Sequence, residues 1–304
     1  MADGAGPTQA LETSPAGGAM SLAPVGRWKD RVFVTICLLA TLLGVVALFV
    51  LLFNVAQDAV GWFDWQFLTS STSRFPEKAG IFPALVGSIL MVLLMIPITL
   101  ILGVGAAVYL TEYARPCTMV KVININIANL AGVPSVVWGL LGLGVFIQLL
   151  HMEYGTLLAG SLTMSLLILP IVIISSQESI RGVPDSFRQA SYGMGATRWQ
   201  TIHMVVLPRA LPGIMTGTII GVARALGETA PLIMIGVPTT VFSPPDGLFS
   251  KFTAMTMQLF AWTDYPQEQF QYGVLAAGVV TLLVVLLTLN ALAIFIRHKF
   301  QKTL

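Results

Sequence analysis

Residues 212–238 have the sequence PGIMTGTIIGVARALGETAPLIMIGVP, which is apolar enough to cross a bilayer except at two positions. Arg224 and Glu228 are the only charged side chains between Pro212 and Pro238. A charge at the centre of a bilayer costs at least about 2.5–3.5 kcal/mol on insertion scales, so it normally faces a protein interior or a water-filled path. The stretch therefore predicts a membrane-spanning helix with a functional charge pair turned into a helical bundle.

The composition of the whole chain supports a membrane protein. Of its 304 residues 56% are hydrophobic and only 10% are charged, whereas a soluble domain has about 25% charged residues. Six stretches are long and apolar enough to span the hydrocarbon core. They are Val32–Ala56, Ile81–Leu110, Val122–Leu150, Gly155–Ser176, Gly213–Ile235 and Tyr272–Ile296. We therefore predict an all-α, polytopic protein with six transmembrane helices, and Pro97 and Pro134 are candidate kink points.

The distribution of basic residues predicts the orientation of these spans. Twelve of the 16 Lys and Arg residues lie at the two ends of the apolar region or in its second and fourth connections. By the positive-inside rule, both termini are predicted to be cytoplasmic. Residues 1–26 are rich in Gly, Ala, Pro and Ser and predict a disordered cytoplasmic tail, followed by a permease-like transmembrane domain over 27–304. The two long connections are 178–212 inside and 237–271 outside, and part of the outer one, Phe252–Trp262, is predicted to be a short helix along the membrane interface.

Several functional classes have no support in the sequence. There is no His/Cys spacing typical of a metal site and no G-x-x-x-x-G-K-[ST] phosphate-binding loop. We therefore predict no catalytic residue, no bound metal or cofactor, and no ATP hydrolysis by that route on this chain. No nucleic-acid partner is predicted, and the lipid bilayer is the expected environment.

Three glycines recur every four residues before the charged pair: Gly213, Gly217 and Gly221. At 100° per residue the last two share an arc of about 60° with Arg224 and Glu228. A stripe of small residues lets a second helix approach closely, so these glycines are predicted to pack a helix and the charged pair to face protein or a cavity. Pro231 leaves the carbonyl of Gly227 without its usual partner, and irregular backbone at membrane depth is tolerated where it lines a cavity.

The charged pair allows two interpretations. In the first, Arg224 and Glu228 neutralise each other as an i,i+4 pair that only fixes helix packing, although Arg before Glu is the weaker order. In the second, the guanidinium binds a tetrahedral oxyanion through its fork of donors. A nearby carboxylate accepts a hydrogen bond from a protonated anion, which favours phosphate over sulfate. Asn129 and Ser135, in the third span, either line the same pathway or form hydrogen bonds between helices.

The connection 178–212 contains a predicted short helix, with Asp185 or Ser186 as its N-cap. It includes Gln189-Ala190-Ser191-x-x-x-Gly195, followed after nine residues by Val205-x-Leu207-Pro208. This spacing resembles the EAA loop of ABC-importer permeases, although Gln replaces Glu at the first position, Ser replaces the second Ala and Val replaces Ile. The resemblance implies a coupling helix that fits a cleft on an ATPase subunit. The residues that it implies for this contact are Gln189, Ala190, Ser191, Gly195, Ala196 and Thr197.

A second stretch of sequence narrows the resemblance to one family of ABC-importer permeases. The run Ala223-Arg-Ala-Leu-Gly-Glu-Thr-Ala-Pro-Leu232 is similar to the fifth-helix segment of the PstA family, the permease subunits of phosphate ABC transporters. Further similarity occurs at 109–114, 133–139 and 253–256. The resemblance covers about residues 28–300, and only the tail lies outside it.

The resemblance implies a type I importer in the bacterial cytoplasmic (inner) membrane. A PstC-like sister permease would complete a heterodimer, two PstB-like ATPases would bind ATP and Mg, and a PstS-like binding protein would deliver inorganic phosphate. Arg224 and Glu228 correspond to charged pathway residues of the family, and the outer connection 237–271 to an outer gate.

Three alternatives remain open at the level of the sequence. One is a permease for another oxyanion, such as molybdate or sulfate. Another is a proton-coupled secondary transporter with Glu228 as proton carrier, which predicts inverted repeats and transport by this chain alone. The last is a membrane scaffold that transports nothing, in which loss of the two charges is harmless once folding is preserved.

Overall fold

The computed structural model describes residues 26–302, so the predicted tail lies outside the described residues except for Gly26, where the first helix begins. The helices are α1 (Gly26–Ala59), α2 (Trp65–Thr69), α3 (Phe82–Val108), α4 (Thr118–Leu130), α5 (Ser135–Gly142), α6 (Leu157–Arg181), α7 (Asp185–Gly193), α8 (Arg198–Thr201), α9 (Leu207–Leu226), α10 (Ala230–Met234), α11 (Met255–Thr263) and α12 (Leu275–Lys302). Short π-helical segments extend or join them at Tyr109–Tyr113, Leu143–Leu149, Ile202–Val206 and Phe270–Val274. Within residues 26–302 there is no β-strand, and the predicted all-α class is confirmed.

Five helices in the described range are long and apolar enough to cross a membrane, and a bent pair raises the number to six. The third predicted span, Val122–Leu150, is this bent pair, and the predicted kink at Pro134 is confirmed. The chain forms α4 and then α5 with its π-helical extension, and the two parts meet at an angle of 108°. Pro134 precedes α5 directly, and proline both removes an amide donor and disfavours the helical conformation of the residue before it.

Most of the predicted connection 178–212 is helical. The membrane-spanning helix α6 continues to Arg181, and α8 joins α9 through a π-helical segment into one candidate span, Arg198–Leu226. Only 182–184 and 194–197 separate α7 from its neighbours. The short helix predicted from the sequence is α7.

The first helix is divided between two units of the chain. Within the described residues, α1 as far as Phe53 forms a unit by itself, and the second unit begins at Asn54. Large apolar side chains in the first unit, such as Leu43 and Phe49, are exposed. This unit therefore presents an apolar surface of the kind that lipid or another membrane protein covers.

In the second unit, α6 is the central helix and packs along both α3 and α9. Small residues bring these helices close together. A side chain at Gly103 of α3 would meet Val172 of α6 at 2.9 Å, and one at Gly217 of α9 would overlap Ser175 of α6. Because α6 touches both neighbours over much of its length, a displacement of its end can be transmitted to either of them.

Part of the connection 237–271 is buried in the protein core. The predicted short helix exists as α11, but the prediction that it lies along the membrane interface is wrong. Phe252, Met255 and Trp262 are fully buried, and Phe252 fills the space beside Gly160 of α6. The segment before α11 also supplies the carbonyls of Leu248 and Ser250, which accept hydrogen bonds from the first amides of α6. These amides have no partner within their own helix, so the connection completes the helix end.

Candidate functional site

A break in the helical backbone forms the centre of the candidate site. Helix α9 ends at Leu226, and Gly227, Glu228 and Thr229 separate it from α10, which has Pro231 in its first turn. This agrees with the irregular backbone that the sequence predicts around Gly227. Arg224 therefore lies in the last turn of α9, and Glu228 lies beyond the end of that helix.

The two charged side chains are close but not tightly joined. Arg224 Nε lies 3.7 Å from Glu228 Oε1, which is longer than a hydrogen bond, and the side chains are 41% and 25% exposed. Within residues 26–302 the Arg224 side chain makes no hydrogen bond. The two residues form an i,i+4 pair, but Glu228 lies beyond the end of α9, so no single continuous helix carries both. The guanidinium keeps its donors available to a bound group.

The helical backbone has a second break, and the helix that follows it contacts α10, the helix that follows the first break. Residues 131–134 separate α4 from α5, and α5 packs against α10. A side chain at Gly139 of α5 would meet Pro231 Cα at 2.7 Å and Met234 Cβ at 2.8 Å. Broken helices at membrane depth occur where the backbone is buried in protein or lines a cavity, and transporters use them to build binding sites. The contact of α5 with α10 thus joins the two broken helices.

The other predicted pathway residues lie at the second break. Asn129 is exposed near the end of α4, and its carbonyl accepts a hydrogen bond from Gly132 N at 3.0 Å. Ser135 is the first residue of α5 and is half-buried, one turn before Gly139. In the described part of the chain, neither side chain forms a hydrogen bond between helices or with the charged pair. An inter-helix hydrogen bond does occur nearby, from Gln177 Nε2 to Asn124 Oδ1 at 2.9 Å.

The buried helix α11 also contacts the first break. Thr256 Oγ1 donates a hydrogen bond to the carbonyl oxygen of Glu228 at 3.4 Å. Sequence reasoning missed this contact, because the two residues lie on separate elements and only the similarity at 253–256 drew attention to the threonine. The connection 237–271 therefore reaches the backbone that carries the charged pair.

The glycines of α9 lie where two helices approach closely. Side chains at Gly213 and Gly217 would overlap Ser179 and Ser175 of α6, and one at Gly221 would be in contact with Ile168 at 3.4 Å. The glycine face of α9 is thus turned towards α6. This contact fixes the direction in which the end of α9 presents Arg224.

The residues implied for ATPase contact lie on and after α7. Gln189, Ala190 and Gly195 are exposed, whereas Ser191 and Ala196 are half-buried. The hydroxyls of Ser191 and Thr201 lie 2.9 Å apart, which joins α7 to α8. Thr197 is the N-cap of α8 and forms a capping box with Gln200.

An open groove of about 600 Å³ runs beside α7. Its lining includes Phe187, Ala190, Met194, Met204 and Arg209.

The N-cap prediction for α7 is wrong, since neither Asp185 nor Ser186 caps the helix, and Pro184 occupies that position. Asp185 instead accepts a hydrogen bond from Arg188 Nη1 at 3.1 Å.

One pair near α7 was not identified from the sequence. Arg188 Nη2 lies 2.8 Å from Glu112 Oε1, and these side chains are only 14% and 9% exposed. Glu112 belongs to the π-helical segment at the end of α3. The two residues are 76 positions apart in the sequence, so no local pattern predicts their contact.

Comparisons with known proteins agree with this architecture. A family model described as "Binding-protein-dependent transport system inner membrane component" matches residues 14–302. "Phosphate transport system permease protein PstA 1" of Mycobacterium tuberculosis (strain CDC 1551 / Oshkosh) is 32% identical over 279 residues, which is 89% of each chain. "Phosphate transport system permease protein PstA" of Yersinia pestis is 30% identical over 277 residues, or 90% of this chain and 92% of the relative.

A further relative is "Probable ABC transporter permease protein YqgH" of Bacillus subtilis (strain 168), which is 34% identical over 76% of this chain and 79% of its own length. A solved structure titled "Inward facing conformations of the MetNI methionine ABC transporter: CY5 native crystal form" has the same fold. Its TM-score is 0.56 at 16% identity, with 73% of this chain and 96% of that chain covered. The chain belongs to the family of binding-protein-dependent transport system inner membrane components.

Proposed function

We propose that this chain is a permease subunit of an ATP-driven phosphate importer. The observation that carries the proposal is the Arg224 guanidinium, which is partly exposed at a helix break with the Glu228 carboxylate 3.7 Å away. Such a fork of donors suits a tetrahedral oxyanion and places a positive charge on its path. Relatives that bear the name of a phosphate permease over nine-tenths of the chain support the choice of anion.

Glu228 supplies a reason for selectivity. A bare carboxylate repels an anion, but it accepts a hydrogen bond from an oxyanion that keeps a proton. Phosphate near neutral pH keeps at least one O–H, and sulfate keeps none. Arg224 would bind the anionic oxygens while Glu228 accepts from the protonated one.

We further propose the assembly in which the chain works. It crosses the bacterial inner membrane with both termini in the cytoplasm, pairs with a PstC-like sister permease and receives phosphate from a PstS-like binding protein outside. PstB-like ATPases bind ATP and Mg and contact α7 through Gln189, Ala190, Ser191, Gly195, Ala196 and Thr197. This chain itself is not an enzyme and holds no cofactor. Asn129 and Ser135, at the second break, line the pathway.

The proposed mechanism is alternating access. Closure of the ATPases moves α7, and α6 transmits the motion because it packs along α3 and α9. The end of α9 then exposes Arg224 to one side of the membrane and afterwards to the other. The hydrogen bond from Thr256 to the Glu228 carbonyl couples the outer connection to the same movement.

The test is reconstitution of the complete complex in lipid vesicles. Phosphate uptake that requires ATP is expected for the unaltered chain and is expected to be lost in Arg224→Gln. The matched control is Arg181→Gln, which removes one positive charge from an exposed position at the end of α6. Equal uptake by Arg224→Gln and the control, with both complexes assembled, would contradict the proposal.

Two further experiments distinguish phosphate import from the alternative functions. Sulfate and molybdate are offered as competitors, and Glu228→Gln is expected to lower the preference for phosphate over sulfate. Unchanged discrimination in that variant would remove the proposed role of Glu228. The chain reconstituted without its partners is expected to transport nothing, and proton-driven uptake by the isolated chain would favour the secondary-transporter alternative.

A further inference from the structure

The side chain of Arg188 joins three elements of the fold. It lies on α7, and Nη2 and Nε both donate to Glu112 Oε1, at 2.8 and 3.3 Å, in the π-helical segment that ends α3. Nη2 also donates to the carbonyl of Ile180 at 2.9 Å, and Nη1 to the carbonyl of Val183 at 2.6 Å. The remaining N–H of Nη1 is directed to Asp185 at 3.1 Å.

Arginine has five N–H donors, and these five hydrogen bonds use all of them. The side chain is 14% exposed, so it is saturated by protein and offers nothing to a ligand. Its acceptors at Ile180 and Val183 lie at the carboxyl end of α6, where a cation is favoured by the helix dipole. The role of Arg188 is therefore to hold elements together.

The elements that it holds lie on a route by which motion of α7 can reach the membrane spans. Glu112 belongs to the continuous span that begins with α3, and Ile180 to α6, the central helix that also packs along α9. A second contact supports the same junction, since the guanidinium of Arg198, on α8, lies 5.0 Å from the centre of the Tyr113 ring. The end of α3 is thus tied to both α7, which carries Gln189, and α8, which begins directly after Thr197.

We propose that Glu112 and Arg188 are positioning residues that make α7, the end of α6 and the end of α3 move as one body. This inference rests on the proposed function, because it assigns to the pair the transmission of ATPase closure to the substrate path. Arg188 is adjacent to the exposed Gln189, so α7 can bind a partner through one face while Arg188 anchors it through the other. Without the pair, α7 still binds the ATPase but no longer moves α3.

The decisive variant is the double substitution Glu112→Leu/Arg188→Met. It removes both charges together, so no unpaired charge remains buried, and complex assembly is expected to survive. Arg188→Lys is the second variant, because lysine retains the charge and its contact with Glu112 but lacks the planar fork. Arg181→Gln again serves as the control for loss of one charge at the same end of α6.

The first readout does not depend on the substrate. Spin labels are placed at the exposed positions Arg115 and Ser186 after Cys37 and Cys117 are replaced by serine, and the distance between labels is measured by electron paramagnetic resonance in the assembled complex. With the pair intact, one narrow distribution is expected, with the same mean in the nucleotide-free and ATP-trapped states. In the double variant the distribution is expected to widen at least twofold and to shift between states.

The second readout is the coupling of phosphate uptake to ATP hydrolysis. In the double variant, ATP hydrolysis without phosphate is expected to stay within twofold of the unaltered complex, while phosphate uptake per ATP hydrolysed falls at least tenfold. Arg188→Lys is expected to lie between the two. A narrow distribution or normal coupling in the double variant would overturn the inference.

The two readouts also distinguish this inference from the proposed function. If the unaltered complex fails to take up phosphate, the proposed function fails, whereas the label distances still decide whether the pair makes one body. If the unaltered complex takes up phosphate and the double variant does so with equal efficiency, the function stands and the role of the pair does not.

Discussion

Residues 26–302 contain two arginine–glutamate pairs, and they differ in distance, exposure and number of partners. Arg224 and Glu228 are 3.7 Å apart and 41% and 25% exposed. Arg188 and Glu112 are 2.8 Å apart and 14% and 9% exposed. The Arg224 guanidinium makes no hydrogen bond in the described part of the chain, whereas that of Arg188 uses every donor.

This difference means that two pairs of the same residue types differ in what they leave available to a ligand. A saturated, buried guanidinium has no capacity left for a ligand and contributes to a fixed junction. A guanidinium with unused donors at a helix break contributes little to the fold and keeps its binding capacity. The exposed pair is evident in the sequence because it interrupts an apolar run, whereas the buried pair has no local signature.

The largest effect is expected at the buried pair. Glu112→Ala leaves the buried Arg188 charge with only the exposed Asp185 carboxylate as counter-ion, which should lower the free energy of unfolding by an amount at the lower end of about 3–5 kcal/mol. The comparison variant Glu112→Leu/Arg188→Met replaces both charges with apolar groups and should remain near the unaltered value. Unfolding of the purified chain in detergent, followed by circular dichroism against denaturant, measures both. Equal stability of the single and double variants would show that the buried pair does not behave as a pair.

The next effect concerns the exposed pair and appears in transport. Arg224→Lys keeps the positive charge but loses the planar fork, and a hydrogen bond to a charged group contributes about 1.5–3 kcal/mol. Because each 1.4 kcal/mol is a factor of ten, phosphate uptake by the reconstituted complex should fall about 10–100-fold. Uptake at the unaltered rate would mean that charge alone is sufficient at this position.

A smaller effect is expected where α9 meets α6. Gly217→Ala places a methyl group against Ser175, and overpacking of this kind costs about 1–3 kcal/mol. Gly105→Ala is the matched control, because a side chain there meets nothing within 4 Å and alanine is the better helix former. In the Gly217→Ala background, Ser175→Gly should restore stability. A loss of stability in the control equal to that in Gly217→Ala would remove the argument from close approach.

The smallest effect is that of the exposed pair on stability. Arg224→Gln should change the free energy of unfolding by less than about 1 kcal/mol, since an exposed pair contributes about that much or less. The same denaturant series that measures Glu112→Ala provides the number. A destabilisation comparable to that of Glu112→Ala would erase the contrast between the two pairs and favour the interpretation of Arg224 and Glu228 as a packing device.

Two prolines show how far local sequence could predict the fold. Pro97 and Pro134 both lie in apolar runs and were both candidate kink points. Helix α3 continues through Pro97, whereas the chain at Pro134 turns by 108° between α4 and α5. Proline permits either outcome, and the difference depends on packing, since α3 lies along α6 while α5 packs against α10.

The apolar composition by itself determined that the chain is a helical membrane protein, because lipid supplies no hydrogen bonds and each span must satisfy its own backbone. The two charges within an apolar run determined where a polar site must be, because burying them in lipid is costly. Only the tertiary structure decided the bend at Pro134, the burial of α11 and the contact of Arg188 with Glu112. These depend on residues far apart in the chain, whose meeting is set by the packing of helices and not by any local pattern.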